Sequence, residues 1–200
     1  MPITFFLEIC YNKDAGECLS EALQYKKEVQ ILFSIGDKIV YGSEGVFCVA
    51  EYTCSPVDKN DDRQFYVLKP THGPEGNIIM TPVDNINVKM RAVMTYDEAV
   101  AFIEKIPDVS VLTVEREKNR RDVYKNALAN ATCEDYVSII KTVHGRREDA
   151  VKLKKRLAES DNDYEKKSKF CLYGELSIAL DIPLAEVEAF IEDKLAAVAN

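Results

Sequence analysis

From Phe33 to Tyr52 polar and apolar positions alternate along the chain. Ile39 and Tyr41 alternate with Lys38 and Val40, and Val46, Cys48, Ala50 and Tyr52 alternate with Phe47, Val49, Glu51 and Thr53. Period-two patterning of β-branched and aromatic residues predicts half-buried strands. Gly36-Asp37 and Gly45 fall where the chain must turn sharply, and glycine reaches φ > 0 there without steric cost. Phe65–Leu68 forms another apolar run, and Ile78–Met80 a further one that Pro82 stops. Ser55–Arg63 reads as a polar hairpin loop, and Thr71–Gly76 carries Pro and Gly turn chemistry. The spacing predicts a small SH3/Tudor-like β-barrel over residues 32–91, about sixty residues, a plausible minimum for an independent module.

After Arg91 the period changes to that of helices. Thr95-Tyr-Asp-Glu98 has the form of a capping box, and the helix it opens should end before Pro107. A second helix is expected near Asp122–Ala131. Thr132-Cys-Glu-Asp135 then caps an amphipathic set, Tyr136, Val137, Ile139, Ile140 and Val143, which Gly145 should stop. Arg147–Leu157 reads as a separate charged helix. Ser160–Asp163 opens another with Phe170, Leu172, Leu176 and Leu180 facing inward. Pro183 reads as the first helical residue of a last helix through Val187, Phe190, Ile191 and Leu195. The expected fold class is therefore α+β with two domains, the barrel followed by an all-α helical domain over residues 92–200.

Residues 1–31 stand apart as an N-terminal extension. Ile3–Ile9 is a short apolar run broken by Glu8, without the basic flank or cleavage site of a signal peptide. Lys27-Glu28-Val29 can be encoded by AAG-GAG-GTN, a purine-rich bacterial ribosome-binding sequence, two codons before Leu32, whose TTG codon is a permitted start. One reading is an over-long gene with natural translation from Leu32; the other is a helical arm through Ala15–Gln30.

Charge sharpens the picture. The formal net charge is −8, which argues against a general nucleic-acid coat. Yet Arg116–Lys169 holds fifteen Lys or Arg against ten acids, and Phe170–Asn200 holds one against six. A basic block inside an acidic protein points to phosphate contacts on the helical part. Leu32–Met90 has five cations against eight acids, so the barrel suits a protein partner better than a nucleic acid.

Catalytic chemistry is not visible. The six cysteines show no C-x-x-C spacing, and His72 and His144 lie in different segments, so neither a zinc site nor another cofactor is expected. Cys48, Cys133 and Cys171 fall at apolar-periodic positions and should be buried. Gly42-Ser43-Glu44-Gly45 lacks the lysine and spacing of a phosphate loop. No run of eighteen apolar residues offers a membrane span, so a cytoplasmic binding protein, with no membrane or small-molecule substrate and no enzymatic role, is expected.

Several segments in fixed order then resemble the CarD/CdnL family of bacterial transcription regulators: IGDKIVYGSEGV, FYVLKP, IIMTPVDN, VKMRAV with Arg91, RRDVYKNAL and LYGELSIAL. The resemblance implies a barrel that binds the RNA polymerase β subunit by strand addition. It also implies a helical domain that touches promoter DNA at the upstream edge of the bubble and stabilises the open complex. Tyr66, Val67, Ile79, Met80 and Thr81 are the candidate polymerase-facing residues. Arg116, Lys118, Arg120, Arg121 and Lys125 are the first candidates for DNA contact, with Lys141, Arg146, Arg147, Lys154 and Lys155 behind them. Gly42 stands where the family often has Pro, and Lys89 where a Gly is frequent. The family's wedge Trp is absent, with Asn119 or Arg120 in its neighbourhood. The competing reading is a KOW-type RNA- or ribosome-associated adaptor module.

Overall fold

The computed structural model describes residues 33–54, 63–74 and 76–198. Five antiparallel strands open this part: β1 (Lys38–Tyr41), β2 (Val46–Cys54), β3 (Gln64–Pro70), β4 (Ile79–Pro82) and β5 (Met90–Ala92). The order across the sheet is β4-β3-β2-β1-β5. Among the described residues no pairing joins β4 to β5. The expected barrel is thus a five-stranded sheet with two edges, and the α+β class holds.

Phe33, Ile39, Tyr41, Phe47, Val49, Tyr66 and Leu68 form the sheet's own apolar cluster. On β1 the inward residues, Ile39 and Tyr41, are those the alternation predicts, but on β2 the cluster takes Phe47 and Val49 instead of the set that contains Cys48 and Ala50, and the strand then changes phase. Its register against β3 shifts between Val49 and Glu51, so the period-two pattern of its first half does not run through its second. Two tyrosines fasten the entry to the sheet. The Phe33 N–H donates to Tyr66 Oη at 3.0 Å, and Tyr52 Oη donates to the Phe33 carbonyl at 2.5 Å. Cys48 is half-buried instead of buried; Cys133 and Cys171 are buried. The hairpin loop expected over Ser55–Arg63 lies outside the described residues except for Arg63.

Five helices follow: α1 (Tyr96–Lys105), α2 (Arg120–Asn130), α3 (Cys133–Lys152), α4 (Glu159–Leu180) and α5 (Val187–Val198). The Thr95–Glu98 capping box is formed. The Thr95 N–H donates to Glu98 Oε2 at 2.8 Å, and the Glu98 N–H donates to Thr95 Oγ1 at 3.3 Å. Thr132 likewise caps α3, accepting the Asp135 N–H at 3.2 Å.

The structure departs from expectation at Gly145. α3 runs through it, and the separate helix expected over Arg147–Leu157 is the second half of α3 plus a turn. A helical glycine costs about 1 kcal/mol but breaks no hydrogen bond. What ends a helix is a left-handed residue that lets later N–H groups reach back. Lys154, at φ 51°, is that residue. Its N–H donates to the Val151 carbonyl at 3.0 Å and the Lys155 N–H to Ala150 at 2.8 Å.

Two apolar clusters hold the helices. One joins α1, α3, α4 and α5 through Phe102, Ile103, Tyr136, Leu172, Leu176 and Val187. The other gathers Tyr124, Ala127, Ile139 and Val143 between α2 and α3. Leu172, Leu176 and Leu180 face inward as expected. Phe170 does not. Its ring lies over the sheet's turns, where a Cβ on Gly45 would meet it at 3.0 Å and one on Gly73 at 3.8 Å.

Candidate interaction surfaces

β4 is an edge strand, and its chemistry follows from its register. The Val83 N–H donates to the Gln64 carbonyl at 2.9 Å, and Thr81 pairs with Tyr66, Met80 with Val67 and Ile79 with Leu68. In an antiparallel pair, residues alternate between facing the partner strand and facing away. Val83, Thr81 and Ile79 therefore bond inward to β3, and Met80 and Pro82 turn their backbone groups outward. Pro82 has no N–H to offer. The Ile78 N–H is already given to the Gly76 carbonyl at 2.9 Å. Along this edge the Met80 N–H is thus the donor open to a new strand.

The five candidate polymerase-facing residues divide on this geometry. Tyr66, Val67 and Thr81 are buried. Tyr66 spends its hydroxyl on Phe33, and the Thr81 hydroxyl accepts from Asn85 Nδ2 at 2.8 Å. Ile79 is half-buried against the sheet's apolar cluster. Met80 is 49% exposed, with Ile78 and Ile86 also exposed nearby in the chain. Beside Ile78 and Ile79 an open cleft of about 300 Å³ is lined by Phe47, Pro70, His72 and Phe170. Burial holds the His72 imidazole below its ordinary pKa, so it sits there neutral near pH 7.

The basic block divides differently. Asp161, in the first turn of α4, is buried and draws two arginines inward. Arg120 Nε lies 2.7 Å from its Oδ1 and Arg146 Nε 3.4 Å from its Oδ2. Glu117 bridges the same two guanidiniums. Arg147 is paired with Glu165, and Lys141 gives its ammonium to the carbonyls of Ile106, Pro107 and Val109 at 2.7–2.8 Å. The Arg120 side chain is only 12% exposed. These four cations bind the helices together, a role that charge counting along the chain does not distinguish from solvent exposure.

The others point outward. Arg116, Lys118, Arg121, Lys125, Lys154 and Lys155 are exposed and make no ion pair among the described residues. Arg121 and Lys125, four apart on α2, share one face. The Asp161 network brings the start of α2, the second half of α3 and the start of α4 to one end of the helices. Arg116, Lys118 and Arg121 lie there, and the turn bearing Lys154 and Lys155 joins α3 to α4 at the same end.

Among the described residues no cluster of His, Cys, Asp and Glu could hold a metal ion, and no helix is long and apolar enough to cross a membrane. The sulfur chemistry is quiet: burial pushes the Cys171 thiol up to about 11, and Cys133 is raised further by burial and the neighbouring Glu175.

Residues 33–94, the sheet with both its edges and the residues leading into α1, match the family model of the CarD-like/TRCF RID domain. Residues 33–94 are a CarD-like domain. With the CarD-like domain comes the general class, a transcription-related protein with an RNA polymerase-interacting domain. The match ends at residue 94, before the helices begin, and no curated protein matches the chain.

Proposed function

We propose that this protein is a non-catalytic transcription regulator. It binds the RNA polymerase β subunit along β4 and presents the free cations at the far end of its helices to promoter DNA, stabilising the open complex. The observation that carries the reading is the CarD-like domain match over a sheet whose edge strand β4 offers the Met80 N–H beside exposed Ile78 and Met80. Strand addition gains main-chain hydrogen bonds, and neighbouring apolar side chains supply selectivity. Pro82 keeps the open stretch short, which limits unspecific edge pairing.

The DNA half rests on the outward cations. Phosphate contacts from Arg116, Lys118, Arg121 and Lys125 are sequence-independent and weaken steeply with salt. On a chain with a net charge of −8 they suffice only when polymerase holds the protein at the promoter. A KOW-type adaptor would need a basic sheet, and the excess of acids over Leu32–Met90 speaks against it.

The test has two arms. The full chain, immobilised and exposed to bacterial lysate, should retain polymerase subunits; ribosomal proteins in their place would overturn the reading. Added to purified polymerase on one promoter, it should lengthen the competitor-resistant lifetime of the open complex. An unchanged lifetime at saturating occupancy would remove the DNA half.

A further inference from the structure

The chain between α1 and α2 is extended and almost free of hydrogen bonds. Residues 109–114 show neither turn nor bend. The backbone is extended at Val109 (φ −66°, ψ 122°) and again at Arg116 (φ −131°, ψ 127°). Between them only Leu112 is tied to a helix, its N–H donating to Thr142 Oγ1 at 2.8 Å. Ser110, Val111, Thr113, Val114 and Glu115 make no hydrogen bond among the described residues. Burial alternates: Leu112 and Val114 are half-buried, Val111 and Thr113 exposed. Leu112 packs against the cluster of Tyr124, Ile139 and Val143. In an extended chain successive residues turn their backbone groups to opposite edges. Leu112 bonds towards α3, so Val111 and Thr113 present their N–H and C=O groups on the open edge. Exposed edges are ordinarily blunted by proline or charge, as Pro82 blunts β4. Residues 109–114 contain neither.

We propose that this segment is a self-association strand, pairing antiparallel with the same segment of a second copy about a two-fold axis at Leu112. The open edge belongs to Val111 and Thr113. Setting Val111 of one copy opposite Thr113 of the other lets them exchange both main-chain bonds, and symmetry repeats the exchange. The same register sets two β-branched side chains beside each other and Leu112 opposite its counterpart. At the ends of the ribbon it brings Asp108 of each copy to Arg116 of the other. Both are exposed and without an ion pair among the described residues, and no like charges face each other along the pairing. This charge complementarity selects a second copy over an unrelated strand. The inference goes beyond the proposed function and does not need it. Arg116 is also among the cations offered to DNA, so the paired and DNA-bound forms exclude each other. On a chain with a net charge of −8 the pair is weak and depends on concentration.

The test follows the full chain by sedimentation velocity over rising concentration at physiological ionic strength. The parent should pass reversibly from monomer to dimer. Thr113→Pro removes an outward N–H from each copy and no bond inside the chain, and the extended Leu112 before it suits a proline. It should weaken the dimer about tenfold. Asp108→Arg and Arg116→Asp each set like charges against one another at both ends of the ribbon, and each alone should dimerise at least about tenfold more weakly. Mixed in equal amounts, the two variants meet with opposite charges at both ends, and the heterodimer should recover most of the parent's affinity. Damage to the fold gives no such recovery, and at these exposed positions thermal melts should match the parent. A parent that stays monomeric at every concentration overturns the proposal. So does a dimer that Thr113→Pro leaves intact, or a mixture that associates no better than its two components.

Discussion

Glu175 is fully buried on α4, and both its carboxylate oxygens are held by the guanidinium of Arg91, the middle residue of β5. The same carboxylate accepts the Met94 N–H at 3.3 Å and the Cys133 thiol at 3.2 Å, while Arg91 reaches the Ala131 carbonyl at 3.2 Å. One pair therefore ties the last strand of the CarD-like sheet to α3 and α4. Removing Arg91 leaves a buried carboxylate without its countercharge, which typically costs about 3–5 kcal/mol. Arg91→Ala should lower urea stability towards that range, less what solvent recovers, since the Arg91 side chain is 36% exposed. Arg91→Lys should recover only part, because an ammonium cannot meet both oxygens in one plane. A loss below about 1 kcal/mol in the alanine variant would show that the pair does not hold these elements together.

Gly42 follows β1 at φ 49°, and a Cβ built on it would lie 2.8 Å from Val88 Cγ1. Its N–H donates to the Lys89 carbonyl at 2.8 Å, and its carbonyl accepts from Tyr136 Oη at 3.3 Å. Proline, frequent here in the resembling family, cannot take this conformation or supply this donor. Gly42→Pro should cost about 3 kcal/mol or more, and Gly42→Ala about 1–2 kcal/mol from the left-handed strain. Urea denaturation of both variants checks the order. A proline variant as stable as the parent would mean that the turn readily adopts another backbone.

The sheet and the helix caps were legible because their signals are local. Alternation places Ile39 and Tyr41, an apolar run places Leu68, and Thr95 and Thr132 announce α1 and α3 within four residues; on β2 both sets are apolar at first, so the spacing does not tell that Phe47 and not Cys48 faces inward. β5 was missed because Met90–Ala92 is three residues long and exists through pairing with β1, a relation between distant positions. The stop at Gly145 misled for a related reason: a glycine permits a helix end, but the left-handed Lys154 makes it. The basic block was legible as a count and not as a surface. Nothing in the spacing of Arg120, Lys141, Arg146 and Arg147 reveals that Asp161, Glu117, Glu165 and the carbonyls after α1 consume them. Arg91 was visible as a motif residue, but its partner lies 84 positions away.

On β4 the outward N–H of Met80 gives a variant that separates binding from folding. Met80→Pro removes that donor and no hydrogen bond to β3, and proline is tolerated on an edge strand whose N–H faces solvent. Polymerase retention should fall at least about tenfold with the loss of main-chain pairing and side-chain contact, while stability changes by less than about 1 kcal/mol. Thr81→Pro, which breaks an inward bond to Tyr66, should instead destabilise the sheet. Undiminished retention by Met80→Pro would move the polymerase surface away from this edge.

Arg120 and Arg121 are neighbours in sequence with opposite expectations. Arg120 compensates the buried Asp161, so Arg120→Ala should destabilise the fold by about 2–4 kcal/mol, the range for an uncompensated buried charge that keeps a second cation, here Arg146. Arg121→Ala should change stability by less than about 0.5 kcal/mol and reduce the salt slope of DNA binding by about 1. Thermal melts and salt titrations on one duplex separate the two. Equal melting temperatures for the two variants would contradict the Asp161 network.

The last expectation concerns alkaline pH. The Cys171 thiol, ordinarily at 9.0, is pushed up to about 11 by burial in the fold. Between those values the unfolded chain has released a proton that the folded chain keeps, so rising pH favours unfolding. The thiol's contribution is complete below about pH 9 and gone above about pH 11, and it amounts to at most roughly 3 kcal/mol. Cys133, raised by burial and then by Glu175, acts with the same sign from the same starting point. Unfolding free energy measured in urea should therefore decline between pH 9 and pH 11 in the parent. Cys171→Ala should lower stability by a roughly constant amount from lost packing while making that decline shallower. The Cys171 thiol donates to the Ser43 carbonyl at 3.2 Å; a decline of the same steepness in parent and Cys171→Ala would mean that this thiol titrates alike in both states and that its place there is open to water.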